Sequence, residues 1–570
     1  MAERRCITVK KLSYITLSLL VLTPLFSVNN ISVEANELPK PAMEKPANKL
    51  IHEQAHPNFS WGNPGPSSPV LHPGSIRGAG MVAEPLIEID TVMNRMIEND
   101  VMPGAVTFVA RRGHIVQQEG YGYSAIYKND NGNTLENPIR MSKNTIFDIA
   151  SLSKIFTTIA AMQLYEEGHF ELDDPVAKYI PEFAQNGKED VTIQQLMTHT
   201  SGFKPWVPLY TIGDSRQDRL EYVFQYPLEN EPGTTYTYSD LNMITLGALV
   251  ERISGKRLDE FVKEYITEPL DMNNTMYNPP ETLKNQIAAT EYQPWTDRGL
   301  VWGEVHDENA WSLGGVAGHA GVFSTAKDLA ILGQMILNDG RYAGERILQP
   351  ETVELLVQNQ IPEFPGNEHG LGWEIAQGWY MDALSGVSTI GHTGFTGTSI
   401  VIDQNNETIA ILLTNRVHPT RDTVSTNPAR RQFARKVADS IPVSIDSNDG
   451  AWFAGYGNNM DKMLTAEVDM NHDTNLSFDT WYRLENGYDV GYVEISTDGK
   501  NWTKASDNFT GFSSGWKTQS VHIPEGTNYI RFRYQTDTNT NGRGWYVANY
   551  RLDSGESLEF TSEDWVKRTY

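Results

Sequence analysis

The sequence of 570 residues contains one cysteine, Cys6, so no disulfide can staple the fold and no thiol is available to any chemistry further along the chain. It is also short of positive charge. Against 72 aspartates and glutamates stand 46 lysines and arginines, a net charge of -26, and no basic cluster in the body offsets it. A nucleic-acid backbone would be repelled, which disfavours nucleic acid as a partner, and none is expected. Long apolar runs are missing beyond the first thirty residues, so nothing there is fit to span a membrane.

What is present begins with a secretory pattern. Arg4, Arg5, Lys10 and Lys11 precede the apolar run Tyr14 to Phe26, and Val33-Glu34-Ala35 reads as a small-residue cleavage site. Residues 1–35 are therefore expected to be a signal peptide, with the mature chain secreted or associated with the cell wall and Cys6 lost. An uncleaved anchor is the alternative, but the run is shorter than the ~20 residues that a span prefers. The length points to two or three domains. Residues 36–84 are rich in proline, glycine and serine, as in Asn63-Pro64-Gly65-Pro66-Ser67-Ser68-Pro69, and read as a linker or wrapping arm. Within them His52-Glu53-Gln54-Ala55-His56 matches the zinc-protease pattern H-E-x-x-H. Pro57 breaks the helix that the pattern needs and no third ligand follows, so no metal and no cofactor is expected.

Residues 85–441 read as a globular domain. Gly104 to Ala110 and His114 to Gln118 form a predicted hairpin across Arg111-Arg112-Gly113, and Thr398 to Ile402 and Thr408 to Leu413 form another across Asp403 to Asn406. Mostly helical sequence lies between, and Asn427-Pro428 starts a closing helix that runs to about Ser440. Strands at both ends with helices between predict one sheet closed by the two ends of the domain. Residues 442–450 are a short polar linker. Residues 451–570 hold six tryptophans among short alternating strands, with a turn at Thr497 to Lys500, and predict a β-sandwich. Most of the six are expected in its core, any exposed ones being placed to stack on sugar rings.

The chemistry centres on Ser151-Leu152-Ser153-Lys154, which opens an apolar helical pattern ending at Gly168. A spacing of three residues puts hydroxyl and ammonium on one helix face about a turn apart, a nucleophile beside its activator. S-x-x-K also occurs at Ser201, Ser324 and Ser514. Two of these are followed by glycine and read as turns, and Ser324 reads as the N-cap of the pattern from Asp328 to Leu332. The G-x-S-x-G at Gly511 to Gly515 lacks the helix that a nucleophile elbow requires. Downstream of Ser151, Tyr238-Ser239-Asp240 supplies a phenol able to relay a proton. His392-Thr393-Gly394 opens a strand whose glycine lets a substrate approach the backbone.

With Leu196 to Gly202 and Ala317 to Ala326, these ordered motifs resemble the serine β-lactamase and penicillin-binding protein family, nearest its class C β-lactamase and DD-carboxypeptidase branch. The resemblance implies an α/β (α+β) β-lactamase/transpeptidase-like domain, an antiparallel sheet flanked by helices with a helical subdomain. It implies a serine hydrolase working through an acyl-enzyme: Ser151 attacks, Lys154 and Tyr238 manage its proton, and the N–H groups of Ser151 and Phe395 hold the oxyanion. Asp240, His392, Thr393, Gly394, Phe395 and Arg416 would contact substrate. Two departures stand out. Asp240 replaces the family's usual asparagine and should favour the ammonium form of Lys154, shifting the base role towards Tyr238. His392 replaces a lysine and should attract a substrate carboxylate less strongly. Both argue against an efficient antibiotic-destroying enzyme.

Val305 to Asn309 and Asn415 to His418 resemble a cell-wall subgroup that includes muramyl-peptide amidases. Arg416 there reads as a carboxylate ligand or a surface ion pair, and Asp307-Glu308 as a solvated turn. The substrate implied is peptidoglycan or muropeptides, cleaved as by a DD-carboxypeptidase or an N-acetylmuramyl-L-alanine amidase. An esterase, a weak β-lactamase and a silent penicillin- or wall-binding protein are the alternatives. The last domain resembles β-sandwich modules of immune-inhibitor-type secreted proteases, through Asp489 to Gly499 and Gly544 to Val547. Ala548-Asn549 replaces their paired aspartates, which argues against calcium there. This domain is the candidate for cell-wall attachment, and the hydrolase is expected to fold without it.

Overall fold

The computed structural model describes residues 62–570 except Asn539. The signal segment and the stretch from His52 to His56 lie outside the described residues. The arm is seen from residue 62 onward and wraps the domain. Its β1 (His72–Pro73) pairs in parallel with β3 (His114–Tyr127), and the Ser68 N–H donates to the Arg112 carbonyl at 2.9 Å. This covers a sheet edge whose open N–H and C=O groups would otherwise invite pairing with another chain.

The predicted hairpins form. β2 (Gly104–Arg111) turns into β3, and β4 (Thr134–Arg140) leaves the sheet from β3. From the far end of the domain come β5 (Glu374–Ile375), β6 (Thr389–Thr393), β7 (Ser399–Asp403) and β8 (Thr408–Thr414). The order is β1-β3-β2-β8-β7-β6-β5, and antiparallel pairing of β2 with β8 joins the two ends as the strand pattern predicts. Both faces of the sheet are buried, which is why β2 and β8 read as unbroken apolar runs. Val106, Phe108, Ile409 and Ile411 face one layer, while Ala105, Val109, Ala410 and Leu412 face the other.

Against the second face lie α1 (Ala83–Glu98), through Leu86, Ile89 and Met93, and α5 (Asn427–Asp439), through Phe433 and Val437. Against the first lie α2 (Ser153–Glu166) and α4 (Ala326–Leu337), with α3 (Asp240–Ser254) beyond α2. α2 is apolar all round because it is buried all round: every residue from Ser153 to Met162 is inaccessible. One sequence reading needs correction. The N-cap of α4 is Thr325, whose hydroxyl accepts the Asp328 N–H at 3.2 Å, whereas Ser324 ends a short strand and shares a 2.8 Å hydrogen bond with Thr275. Thr325 has the extended backbone that a cap requires, and the strand's register leaves Ser324 one residue short.

Residues 451–570 form two antiparallel sheets. One is built from β9 (Ala451–Phe453), β11 (Thr474–Arg483), β14 (Lys517–Ile523), β16 (Gly544–Leu552) and β17 (Val566–Arg568). The other is built from β10 (Asp461–Glu467), β12 (Val490–Ser496), β13 (Thr503–Lys504) and β15 (Tyr529–Gln535). Phe478, Phe532 and Trp545 fill the space between them. None of the six tryptophans is exposed; the exposed large aromatics of this region are Tyr488 and Phe512. The G-x-S-x-G stretch leads into strand β14, not a helix.

The segment after α5 is held against the sandwich. Val443 and Ile445 pack with Phe453 and Tyr546, and the Trp516 ring N–H donates to the Val443 carbonyl at 2.7 Å. Asp439, at the end of α5, accepts from Arg568 at 2.6 and 3.1 Å and from the Tyr456 hydroxyl at 2.9 Å. Losing one partner of a buried ion pair costs about 3 kcal/mol, because the remaining charge is stranded. In a chain cut after Ile445, Asp439→Asn should therefore raise the unfolding temperature relative to the cut chain. In the full chain the same change should lower it. Thermal unfolding of the four proteins checks both signs, and a hydrolase truly independent of the sandwich would show the same sign in both backgrounds.

Candidate active site

The nucleophile turn is built by a buried carboxylate. Ala150 adopts φ 48°, a left-handed conformation that strains a residue with a side chain. Asp148, 2% exposed, holds it there: Oδ1 accepts the Ala150 N–H at 2.8 Å and Oδ2 accepts the His306 N–H at 2.6 Å. Burial pushes the Asp148 carboxyl above its ordinary pKa, and those two N–H donors oppose the shift. The turn is then locked onto the strand side, where Thr396 and Thr398 hydroxyls donate to the carbonyls of Asp148 and Ile149. Gly394 must be glycine for the same reason. A Cβ there would stand 2.2 Å from Thr398 Oγ1 and 2.5 Å from the Ile149 oxygen. The glycine thus admits the protein's own nucleophile turn, a closer approach than the substrate contact its position in the motif predicts.

On this turn Ser151 meets Lys154. The Lys154 Nζ, on a side chain 1% exposed, lies 2.8 Å from Ser151 Oγ, 2.8 Å from Asp240 Oδ1 and 3.2 Å from the His319 carbonyl. The Asp240 carboxylate oxygen and the His319 carbonyl can only accept, and they take two N–H donors; the Ser151 hydroxyl can accept a third or donate to a lone pair. Electrostatics decides for the ammonium: burial works against the charge, but Asp240 and Tyr238 outweigh it and hold the Lys154 pKa above its ordinary value. The Lys154 charge also lies 4.9 Å from the centre of the Tyr238 ring.

Tyr238 interacts with both Lys154 and Ser151, and desolvation raises its pKa, so it rests as a phenol. Its ring is set by His199, 4.6 Å away, whose Nδ1 accepts from the Ser239 N–H and the Asn242 amide. His392 donates through Nδ1 to the Thr393 carbonyl at 2.8 Å, leaving a buried Nε2 lone pair without a partner among the described residues. Burial, reinforced by the Lys154 charge, lowers its pKa to about 3. The imidazole is neutral, unlike the lysine it replaces in the third motif.

These groups open on a cavity of about 540 Å³ lined by Ser151, Tyr238, His392, Thr393, Phe395 and Arg416, among others. The Phe395 N–H, just past β6, makes no hydrogen bond among the described residues, and the exposed ring stacks on His306 at 5.7 Å. Arg416 is no surface ion pair. It donates to the Thr423 and Val424 carbonyls, its Nε has no partner, and no carboxylate pairs with it among the described residues. Arg430 braces the same wall through the Gly394 and Thr398 carbonyls. Trp379 lines this cavity and also a larger cleft of about 900 Å³ that runs between the hydrolase and the sandwich, past Arg483 and Tyr488.

Several neighbours escaped the sequence reading. Asp307 and Glu308 are not a solvated turn. Asp307 caps a short helix and holds His319 Nε2 at 2.8 Å, while Glu308, 6% exposed, pairs with Arg421 at 2.6 Å. His199 and His319 belong to motifs visible in the sequence, but nothing in those motifs says what they touch. Asp240, Asp307 and His319 converge closely enough to hold a cation, and the Lys154 ammonium already supplies the positive charge there. Glu374, on β5, lines the cavity with its Oε2 unpartnered, and burial pushes its pKa up to about 7. No sequence pattern marks it, because only the pairing of β5 with β6 brings it to the site.

A serine beside a buried lysine and a tyrosine, on a turn between an antiparallel sheet and a helical layer, is the arrangement of an acyl-transferring serine hydrolase. The beta-lactamase family model matches residues 89–435, and the chain belongs to that family as a hydrolase. It is 35% identical over 383 residues to a protein of Escherichia coli (strain K12) named "Putative D-alanyl-D-alanine carboxypeptidase", covering 61% of this chain and 86% of that one. A protein of the same name from Salmonella schwarzengrund (strain CVM19633) is 35% identical over 394 residues, covering 63% and 89%. Among solved structures, EstCE1, a hydrolase with promiscuous acyltransferase activity, superposes with a TM-score of 0.50 at 22% identity. That match covers 62% of this chain and 99% of EstCE1, and shows the shared fold.

Two outcomes are expected. Ser151→Ala should abolish covalent labelling by a fluorescent penicillin or a fluorophosphonate. Tyr238→Phe should slow acylation by ~10²- to 10⁴-fold, as loss of a proton-transfer group does, and Asp240→Asn should be far milder; stopped-flow acylation separates them. Glu374 gives a pH signature. A carboxyl with a raised pKa is neutral below about pH 7 and charged above it. KM for a carboxylate-terminated substrate should therefore climb as pH rises through 7, and Glu374→Gln should flatten that limb.

Proposed function

We propose that the protein is a secreted hydrolase of peptidoglycan peptides, acting as a DD-carboxypeptidase. The observation that carries this reading is the cavity beyond Ser151. An arginine without a carboxylate partner, Arg416, faces it beside Thr393 and a neutral His392, an arrangement suited to a substrate that ends in a carboxylate. The names of the relatives support the same substrate class. The signal-like residues 1–35 support export, and the sandwich is the proposed wall-attachment module.

In this reading Ser151 Oγ attacks the carbonyl carbon of the terminal amide. The hydroxyl proton passes to the Tyr238 oxygen as the phenol proton moves to the departing amide nitrogen, so Tyr238 ends as it began. The carbonyl oxygen takes up negative charge, which the N–H groups of Ser151 and Phe395 stabilise; one such donor is worth about 3 kcal/mol of barrier. The C–N bond breaks, the free amino acid leaves, and an ester to Ser151 remains. Water repeats the sequence: it attacks the ester, gives its proton to Tyr238, and Tyr238 returns one to Ser151 Oγ. Lys154 stays an ammonium throughout and lowers the cost of negative charge on the serine.

Incubation of the mature protein with defined muropeptides, with products identified by mass spectrometry, tests the assignment. Release of terminal D-Ala is the expected result. Cleavage between the lactyl group and L-Ala would instead make it an amidase, and intact muropeptides beside hydrolysed simple esters would make it an esterase.

A further inference from the structure

The sandwich holds a second cluster of acids, remote from Ser151. Glu485 lies in the turn after β11, Asp489 leads into β12, and Asp537 follows β15. One carboxylate oxygen from each lies within 4.8 Å of the others. Asp489 is 0% exposed. Its Oδ1 accepts the Asp537 N–H at 3.2 Å, but its Oδ2 is buried without any hydrogen-bond partner among the described residues, and so is Glu485 Oε2. No lysine or arginine pairs with Glu485 or Asp489 among the described residues. Beside them the Tyr534 hydroxyl, on a residue 0% exposed, is also unpartnered. A buried carboxylate oxygen with neither a donor nor a cation is costly, and nature rarely leaves one so.

We propose that Glu485, Asp489 and Asp537 bind a calcium ion, with water completing the shell. The donors are all oxygens with no histidine or cysteine among them, which suits a hard cation and not zinc. They come from three separate loops, and calcium tolerates such irregular geometry where magnesium demands a near-octahedral shell. Ala548 and Asn549, which stand where similar modules carry paired aspartates, are not among the three. Asn549 donates its amide to Asp479 Oδ2 and to the Asp446 carbonyl, both at 2.9 Å, so an amide bridges those oxygens. Without a cation, burial and mutual repulsion push the pKa of Glu485 up to about 7 and that of Asp489 to about 6, so protons partly replace the ion.

The test uses the full chain stripped with EDTA, titrated with calcium chloride by calorimetry and followed by thermal unfolding, with magnesium chloride in parallel. Calcium should bind with a dissociation constant on the order of 10⁻⁴ M, the range of extracellular modules, and raise the unfolding temperature. Terbium should give sensitised emission from Tyr488 or Tyr534, and calcium should quench it. Asp489→Asn and Glu485→Gln should each raise the unfolding temperature of the metal-free protein, by relieving repulsion, and lose the calcium increment with affinity at least tenfold weaker. Absence of binding at about 10 mM calcium, an equal calcium increment in the variants, or an equal effect of magnesium would each overturn the proposal. Ser151-dependent hydrolysis of a small ester confirms that every variant is folded.

Discussion

The site depends on one ammonium group held by three oxygens. Lys154 is almost fully buried, and a buried charge survives only if its hydrogen bonds are all made. Ser151, Asp240 and the His319 carbonyl make them. Each of these acceptors is in turn fixed by something else: Ser151 by the strained turn that Asp148 supports, Asp240 by its place at the first turn of α3, His319 by Asp307. With Lys154 held as an ammonium, the Tyr238 phenol is the neutral group left beside the Ser151 hydroxyl. The charge on Lys154 follows from a carboxylate at position 240, where an asparagine would offer no compensating charge.

The environment around this centre keeps three of its histidines neutral. His199, His369 and His392 are buried, and burial lowers the pKa of all three. Sign matters for stability. An unfolded chain would take up protons on these rings below about pH 6.5, while the folded chain would not, so they favour unfolding progressively as acid is added. Glu374 acts in the opposite sense between about pH 4.5 and 7, since its folded form holds a proton that the unfolded form releases. The two effects oppose one another across the mildly acidic range.

What was legible in the sequence was what is local. Ser151 and Lys154 share one helical turn, the hairpins are contiguous, and the sandwich strands alternate. The order of the three motifs was legible too, because the fold reads them in sequence. Illegible was whatever the sheet assembles from a distance: Glu374 reaches the cavity through the pairing of β5 with β6, and Asp307 reaches His319 across a loop. Charge in a loop looked solvated, whereas Glu308 is buried and Asp307 is half-buried against His319. The chain after Ile441 looked like a free connector because it is polar, yet Val443 and Ile445 bury themselves and Asp439 finds Arg568 at the far end of the chain.

The pairing of β2 with β8 carries a consequence for how the protein comes into being. Its residues run from Ala105 on one side to Thr414 on the other. The central sheet cannot close until nearly three hundred intervening residues have emerged from the ribosome, and contacts between segments so distant in sequence make for slow folding. α1, arm and first hairpin must wait, their apolar faces open, for a partner made much later. The nascent chain therefore lacks its closed central sheet through most of its synthesis.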